Sequence, residues 1–440
     1  MIDHAAAASA NHVDAGGQEG GRVRTDPEIR PLLMQLCGER DPSEADLDVF
    51  LARAVWSRLA EPGDATAGAL LARLGPTRAL EVLGNPAAAR ALAQQHTDSD
   101  GGGQMPTGRQ LGAAIKRWRP RLDREATVGD LKSAVAAGMT LLAPESAGWP
   151  GQLNDLGAHS PAALWVRGDA RLLGGAALAV VGARACTGYG SHVTAELTAT
   201  ACSAGLTIVS GAAYGVDAVA HRTALATDSP TVAVLAGGSD RAYPAAHDQL
   251  LGRVVAQGAV CSELVPGAAP TRWRFLQRNR IIAALSGAVL VTEAGVRSGA
   301  LNTAGHAAEI GRPIGAVPGP ITSAASAGCH RIVRDYGATL VTTGQELLEL
   351  LGAAADPLIP GTSDTAEDVA GPARQPALHT RLLDALPIRG GRTLAAAARV
   401  AGTSTDEAAN TLAELELLGY VARQHPPDGS PDLWVLRKRE

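Results

Sequence analysis

The densest chemistry in this 440-residue chain is the run Arg272-Trp273-Arg274-Phe275-Leu276-Gln277-Arg278-Asn279-Arg280. Four guanidinium groups are interleaved with an indole and a phenyl ring, in a chain with 3% aromatic residues and two Phe. Guanidinium forks match phosphate oxygens, and rings stack on unpaired bases at roughly 1–3 kcal/mol each, so the mixture suits a single-stranded nucleic acid. A structural reading stands beside it. The rings would dock the segment on a core, the outer arginines would be solvated, and Arg278-Asn279-Arg280 would pair with Glu293 or Asp217. In either case the run is expected to precede a helix over residues 281–285.

A second group of residues sits in glycine-containing turns after short apolar runs. These are Gly182-Ala183-Arg184 with Gly188 and Gly190, then Ser210-Gly211 through Gly215 to Asp217, then Gly237-Gly238, then Glu293 with Arg297-Ser298-Gly299 and Thr303, then Pro318-Gly319. Glycine lets a backbone approach a phosphate closely, and a following helix offers free N–H groups and a positive dipole end. Arg184 adds a bidentate donor. The first turn is neither Gly-x-Gly-x-x-Gly nor a Gly-Lys-Ser/Thr loop, so a dinucleotide fingerprint and a P-loop are both unsupported. Asp217 and His221 are four residues apart, which reads as a satisfied structural pair before it reads as a catalytic dyad. Glu293 is open between a general base and a partner for a buried arginine. Ser210 and Ser298 lack a base at motif spacing, so nothing favours nucleophilic catalysis. Cys37, Cys186, Cys202, Cys261 and Cys329 never form a CxxC pair, so neither a metal nor a disulfide framework is expected, and no cofactor.

These turns need a scaffold. Near-continuous apolar runs at 177–182, 206–210, 232–236, 259–262, 288–293, 313–317 and 339–341 read as strands buried on both faces, alternating with helices. That predicts an α/β, Rossmann-like doubly wound, mostly parallel sheet, with ligands beyond the carboxyl ends of the strands. Around it we expect a disordered leader over 1–27, an N-terminal helical domain over 28–137, the sheet domain over 138–352, a Pro/Gly/acidic linker over 353–374 and a unit over 375–440. That last unit shows three helices and a hairpin, a winged-helix pattern. Its third helix carries Asp406, Glu407, Glu414 and Glu416, which suits a protein contact better than a DNA groove. The net charge is −5 and only three of the 39 basic residues are Lys, so any nucleic-acid site must be local, and part of the Arg excess reflects GC-rich coding. No apolar segment is long enough to span a bilayer, which points to a cytoplasmic protein with no membrane partner.

Taken together, these blocks resemble the DNA-processing protein A (DprA/Smf) family. Ser210 to His221 is similar to its Ser-Gly-x-Ala-x-Gly-Ile-Asp-x-x-Ala-His block, and Phe275 to Ile282 to its Phe-x-x-Arg-Asn-Arg-Ile-Ile block. Ser298 to Ala304 is similar to Ser-Gly-Ser-Leu-x-Thr-Ala, Gly182-Ala183-Arg184 to Gly-Ser-Arg, and Val317-Pro318-Gly319 also fits. The resemblance implies a non-catalytic Rossmann-like protein that binds single-stranded DNA, forms a homodimer and helps load the RecA recombinase in natural transformation. It also implies a variable N-terminal helical domain (SAM- or helix-hairpin-like) and, in many members, a C-terminal winged helix. On that view Arg184 grips phosphate, Phe275 stacks on a base, and Arg272 stands where relatives often carry Lys. The implied binding set adds Gly182, Gly188, Gly190, Ser210, Gly211, Gly215, Gly237, Arg278, Asn279, Arg280, Ser298, Gly299 and Thr303. Asp217, His221 and Glu293 remain structural or undecided. Ala183 and Ala300 replace serines and remove hydroxyl donors, and His330 replaces an Asn. Two rivals remain: a nucleotide-processing enzyme, whose Pro-Gly-Gly-x-Gly-Thr-x-x-Glu loop is missing at 292–299, and a winged-helix transcription regulator. The binding reading requires Arg184 and Phe275 to meet at one rim of the sheet.

Overall fold

The structure is a computed structural model that describes residues 25–38, 42–85, 106–355, 377–387, 390–426 and 431–437. The expected leader up to residue 24 and the expected linker from residue 356 lie outside the described residues.

The apolar runs form strands because each can bury both faces. They are β3 (Ala177–Val181), β4 (Thr207–Ser210), β5 (Thr231–Val234), β6 (Ala259–Ser262), β7 (Ala288–Val291), β8 (Ile314–Ala316) and β9 (Thr339–Leu340), and all seven run parallel. Every residue of β3 to β8 is buried. Two further strands, β1 (Thr140–Leu142) and β2 (Leu164–Gly168), extend the sheet antiparallel beside β6. They were not anticipated from the sequence, being short and without a crossover helix. The order is β1-β2-β6-β5-β4-β3-β7-β8-β9. The chain winds outward from β3 in one direction through β4, β5 and β6, then in the other through β7, β8 and β9. The topological switch point, where α/β sheets leave a crevice, therefore lies between β3 and β7.

The Arg/aromatic run corrects one expectation. It does not precede a helix; it is the first turns of the Arg272–Ala284 helix. Thr271 caps it by accepting the Arg274 N–H at 3.2 Å, and no Gly or Pro follows until Gly287. The charged residues hide the apolar period, because the buried face includes Arg278, Asn279 and Arg280.

Among the described residues, the α-helices before β1 are Arg30–Leu36, Glu44–Leu59, Ala65–Leu74, Pro76–Gly84, Gly108–Trp118 and Arg124–Ala136. Their core holds Trp56 and Trp118 edge to face at 5.0 Å. It runs on through the expected boundary near residue 137, since Trp165 of β2 is fully buried in it and donates to Ser57 Oγ at 3.1 Å. After residue 376 come the helices Ala377–Ala385, Leu394–Ala401 and Thr405–Leu417. With them is an antiparallel sheet of Arg392–Thr393, Leu433–Leu436 and Val421–Gln424, in that order. Leu382, Ala398, Leu412, Leu415 and Trp434 form the core of this unit. Among the described residues no helix is long and apolar enough to cross a membrane.

Candidate nucleic-acid interface

Arg184 and Phe275 meet. The Arg184 guanidinium carbon lies 5.1 Å from the Phe275 ring centre, and Arg184 is exposed on the turn after β3. Arg278 approaches the same ring at 5.7 Å, and Tyr243 packs on it at 5.4 Å with the planes tilted by 52°. Phe275 is half-buried, whereas Tyr243 and Tyr214 are each 48% exposed. Tyr214 stands edge to face on His247 at 4.8 Å. Arg272 is exposed at the start of its helix, two turns before Asn279 reaches the core. The rim above β3, β4 and β5 thus carries stacking surface and exposed cationic side chains together. Tyr243 and Tyr214 were missed in the sequence. The available signal was the scarcity of aromatics, which makes a tyrosine in the loop after a strand unusual.

The loops bearing these groups are knitted to one another. Ala183 N–H donates to Glu293 O at 2.7 Å, and Val216 N–H donates to Ala183 O at 3.1 Å. Gly215 is required at this crossing: its φ is +74°, and a Cβ there would lie 2.2 Å from Ala183 O. Below the rim, Arg278 donates through Nη1 to Gly211 O at 2.7 Å and Val234 O at 2.6 Å. Burial lowers its pKa to about 10, still cationic at neutral pH, with Asp217 opposing the shift. Asp217 accepts the Gly211 and Ala213 N–H groups at 3.2 and 3.3 Å. Burial raises its carboxyl above the usual range despite the Arg278 charge. Asn279 donates to Gly299 O at 3.3 Å and Asn302 Oδ1 at 3.2 Å, which ties the Ser298–Gly299 loop to the same helix. Ser298 Oγ accepts Ala300 N–H at 3.3 Å, and Gly299 is exposed.

Several expected partnerships are replaced by others. Arg280 pairs neither with Glu293 nor with Asp217; both its terminal nitrogens reach Glu263 at 2.7 Å, and it is 2% exposed. Arg278 and Arg280 therefore stand as struts under the rim. Asp217 and His221 do not bond to each other. Thr231 commits its hydroxyl proton to Ile208 O at 2.8 Å, so His221 Nδ1 donates to Thr231 Oγ at 2.7 Å. Burial, with His247 and Arg278 nearby, lowers the His221 pKa to about 3, and the ring is neutral. Ser210 is buried and donates to Val180 O at 2.7 Å. Gly182, Gly211 and Gly237 fit where a Cβ would strike neighbouring atoms, and Thr303 is buried.

Glu293 fills the switch-point crevice. Its carboxylate accepts Thr187 N–H and Thr187 Oγ–H, each at 2.7 Å, at the head of the Gly188–Ser203 helix. Gly190 makes room, since a Cβ there would lie 2.4 Å from Glu293 Oε2. The seat where this fold ordinarily receives a phosphate is occupied by the chain's own anion. Gly188 and Gly190 thus frame Glu293, and the carboxylate's two oxygens are engaged. Among the described residues no group of three His, Cys, Asp or Glu is placed to hold a metal, and all five cysteines are free.

Residues 140–352 match the family model of DNA recombination-mediator protein A. The chain is 40% identical over 384 residues to the putative DNA processing protein DprA of Mycobacterium tuberculosis, covering 84% of this chain and 91% of that one. It is 39% identical over 268 residues to the protein Smf of Escherichia coli, covering 60% and 70%. The X-ray structure of DNA processing protein A from Streptococcus pneumoniae superposes with a TM-score of 0.53 at 29% identity, over 69% of this chain and 97% of that chain. With a strand-end rim that matches the sequence blocks and a relative covered almost end to end, this chain belongs to the DNA-processing protein A (DprA/Smf) family.

Proposed function

We propose that this protein binds single-stranded DNA along the rim formed by Arg184, Tyr243, Arg272, Phe275 and the Ser298–Gly299 loop, and hands the strand to the RecA recombinase in recombination and natural transformation. The observation that carries the reading is the cluster of Arg184, Phe275 and Tyr243. Bases stack on the rings, phosphates meet Arg184 and Arg272, and no base edge needs to be read. Arg278, Asn279, Arg280, Asp217 and Glu293 hold the rim in shape. The protein acts in the cytoplasm and without catalysis, which fits a Glu293 whose oxygens are already bonded to Thr187.

A homodimer is proposed through the β9 edge, where Tyr336 and Leu340 are 44% and 49% exposed and the strand has an unpaired side among the described residues. The unit after residue 376 is proposed as a winged helix serving protein contact, in keeping with its acidic third helix. The test is fluorescence anisotropy with matched single- and double-stranded oligonucleotides, alongside RecA filament formation on strands coated with a single-strand binding protein. Preference for the single strand, lost in Arg184→Ala, is expected. Equal affinity for both forms would end this reading.

A further inference from the structure

The C-terminal unit sits on the helix that carries the rim. Asp384, in the Ala377–Ala385 helix, accepts the Trp273 backbone N–H at 2.8 Å, which sets a carboxylate beside Arg272. A second carboxylate, Glu61 from the N-terminal helices, joins all three units. It takes Arg274 through both oxygens at 3.1 Å and Arg121 at 2.9 Å, with the Arg381 charge close by. Arg381 in turn donates to Ala401 O and Gly402 O. Gly402 lies against Arg121, and a Cβ there would be 2.2 Å from Arg121 Nη2. Arg117 faces Glu407 at 3.9 Å.

This junction is polar and incompletely packed. A cavity of about 270 Å3 remains among Glu61, Asp64, Arg117, Arg121, Trp273 and Arg381. The indole N–H of Trp273, which lines this cavity, is buried with no partner among the described residues. Polar, loosely filled contacts between units are the kind that open, unlike a continuous apolar core.

We infer that the C-terminal unit is a removable cover at the Arg272 end of the DNA rim, held by Asp384 and the Glu61 hub, and that its docking and the binding of a strand compete through charge while Arg184, Tyr214 and Tyr243 stay exposed. This rests on the rim being the DNA site. The shared group is Arg272: in the docked form Asp384 offsets its charge and repels a phosphodiester approaching from Phe275. By linkage, whatever factor docking subtracts from DNA affinity, DNA subtracts from docking.

The test uses the full chain with a fluorescent oligothymidylate. Asp384→Ala removes one charge-assisted contact and should bind about fivefold more tightly than wild type, with Asp384→Asn in between. Hydrogen exchange over residues 377–402 should quicken in wild type when the strand is added, and should already be fast in DNA-free Asp384→Ala. If Asp384→Ala binds like wild type while Arg184→Ala still loses affinity, the cover is refuted and the rim survives. If wild type itself fails to bind the strand, the rim reading fails first and takes the cover with it.

Discussion

Phe275→Ala separates stacking from charge at this rim. The half-buried ring is approached by two guanidinium groups and a tyrosine, so its removal takes away the central stacking surface while leaving every cation in the chain. A lost base stack costs about 1–3 kcal/mol, which is about 5- to 150-fold in affinity. Because no charge is lost, the slope of log affinity against log salt should stay as in wild type. Arg184→Ala should do the opposite in kind: affinity falls and the slope shallows by about 0.7, one phosphate contact. The two residues are not independent, since the Arg184 guanidinium rests 5.1 Å from the ring. An exposed cation–π contact contributes about 0.5–1 kcal/mol, so the double variant should lose less than the sum of the single losses by about that amount. Anisotropy titrations of wild type, both single variants and the double at four salt concentrations measure all three quantities. Thermal melts of each check that the fold is kept. A Phe275→Ala slope as shallow as that of Arg184→Ala, or strict additivity in the cycle, would refute the stacking geometry.

Other consequences follow from buried charge and close approach. Glu61 has a folded pKa of about 2 against an ordinary 4.5, because Arg274, Arg121 and Arg381 outweigh a burial cost that alone would raise it. Its stabilisation, on the order of 3 kcal/mol, is therefore complete above pH 4.5 and fades as pH falls toward 2. The stability gap between wild type and Glu61→Gln should close over that window in urea titrations; a gap independent of pH contradicts the hub. Arg280→Met strands the buried Glu263 and should cost about 3–5 kcal/mol, largely recovered when Glu263→Leu is added, as read by denaturant midpoints. Gly190→Ala forces a methyl into the Glu293 carboxylate and should destabilise by about 1–3 kcal/mol, whereas Gly188→Ala meets nothing within 4 Å and should be close to neutral in both stability and DNA affinity. Loss of DNA binding by a well-folded Gly188→Ala would return that turn to the phosphate path.

What the sequence made legible follows the range of the forces involved. The parallel strands were visible because burial on both faces writes an unbroken apolar run, as in Ala288–Val291. β1 and β2 were not, since three to five residues at an antiparallel edge leave no periodic trace. Arg184 with Phe275 was legible only through the ordered blocks: the residues are 91 positions apart, and no local pattern joins them. The local rule that put Asp217 beside His221 failed because the helix begins at Val216. Asp217 lies in its first turn and bends back to the preceding loop's amides, while His221 faces β5. Arg280 found Glu263 across a loop, where spacing carries no information.

The internal carboxylate at the switch point changes what this fold can bind. In a nucleotide-binding relative of the architecture, the helix after the first parallel strand directs its N–H groups at a phosphate. Here Glu293 takes that place, bonded to Thr187 and sealed by the absence of a side chain at Gly190. A mononucleotide would have to expel a buried anion whose two hydrogen bonds are already formed, and it would gain only equivalent bonds in return. The cations left exposed, Arg184 and Arg272 with Arg297 farther along, lie outward from that crevice beside Phe275 and Tyr243. Each alone offers a phosphate a weak, screened contact. A polymer that meets several of them at once, and stacks its bases between, pays the entropy of association once and adds the contacts along its length. Filling the inner seat thus shifts the ligand from one nucleotide in a pocket to a strand along a rim.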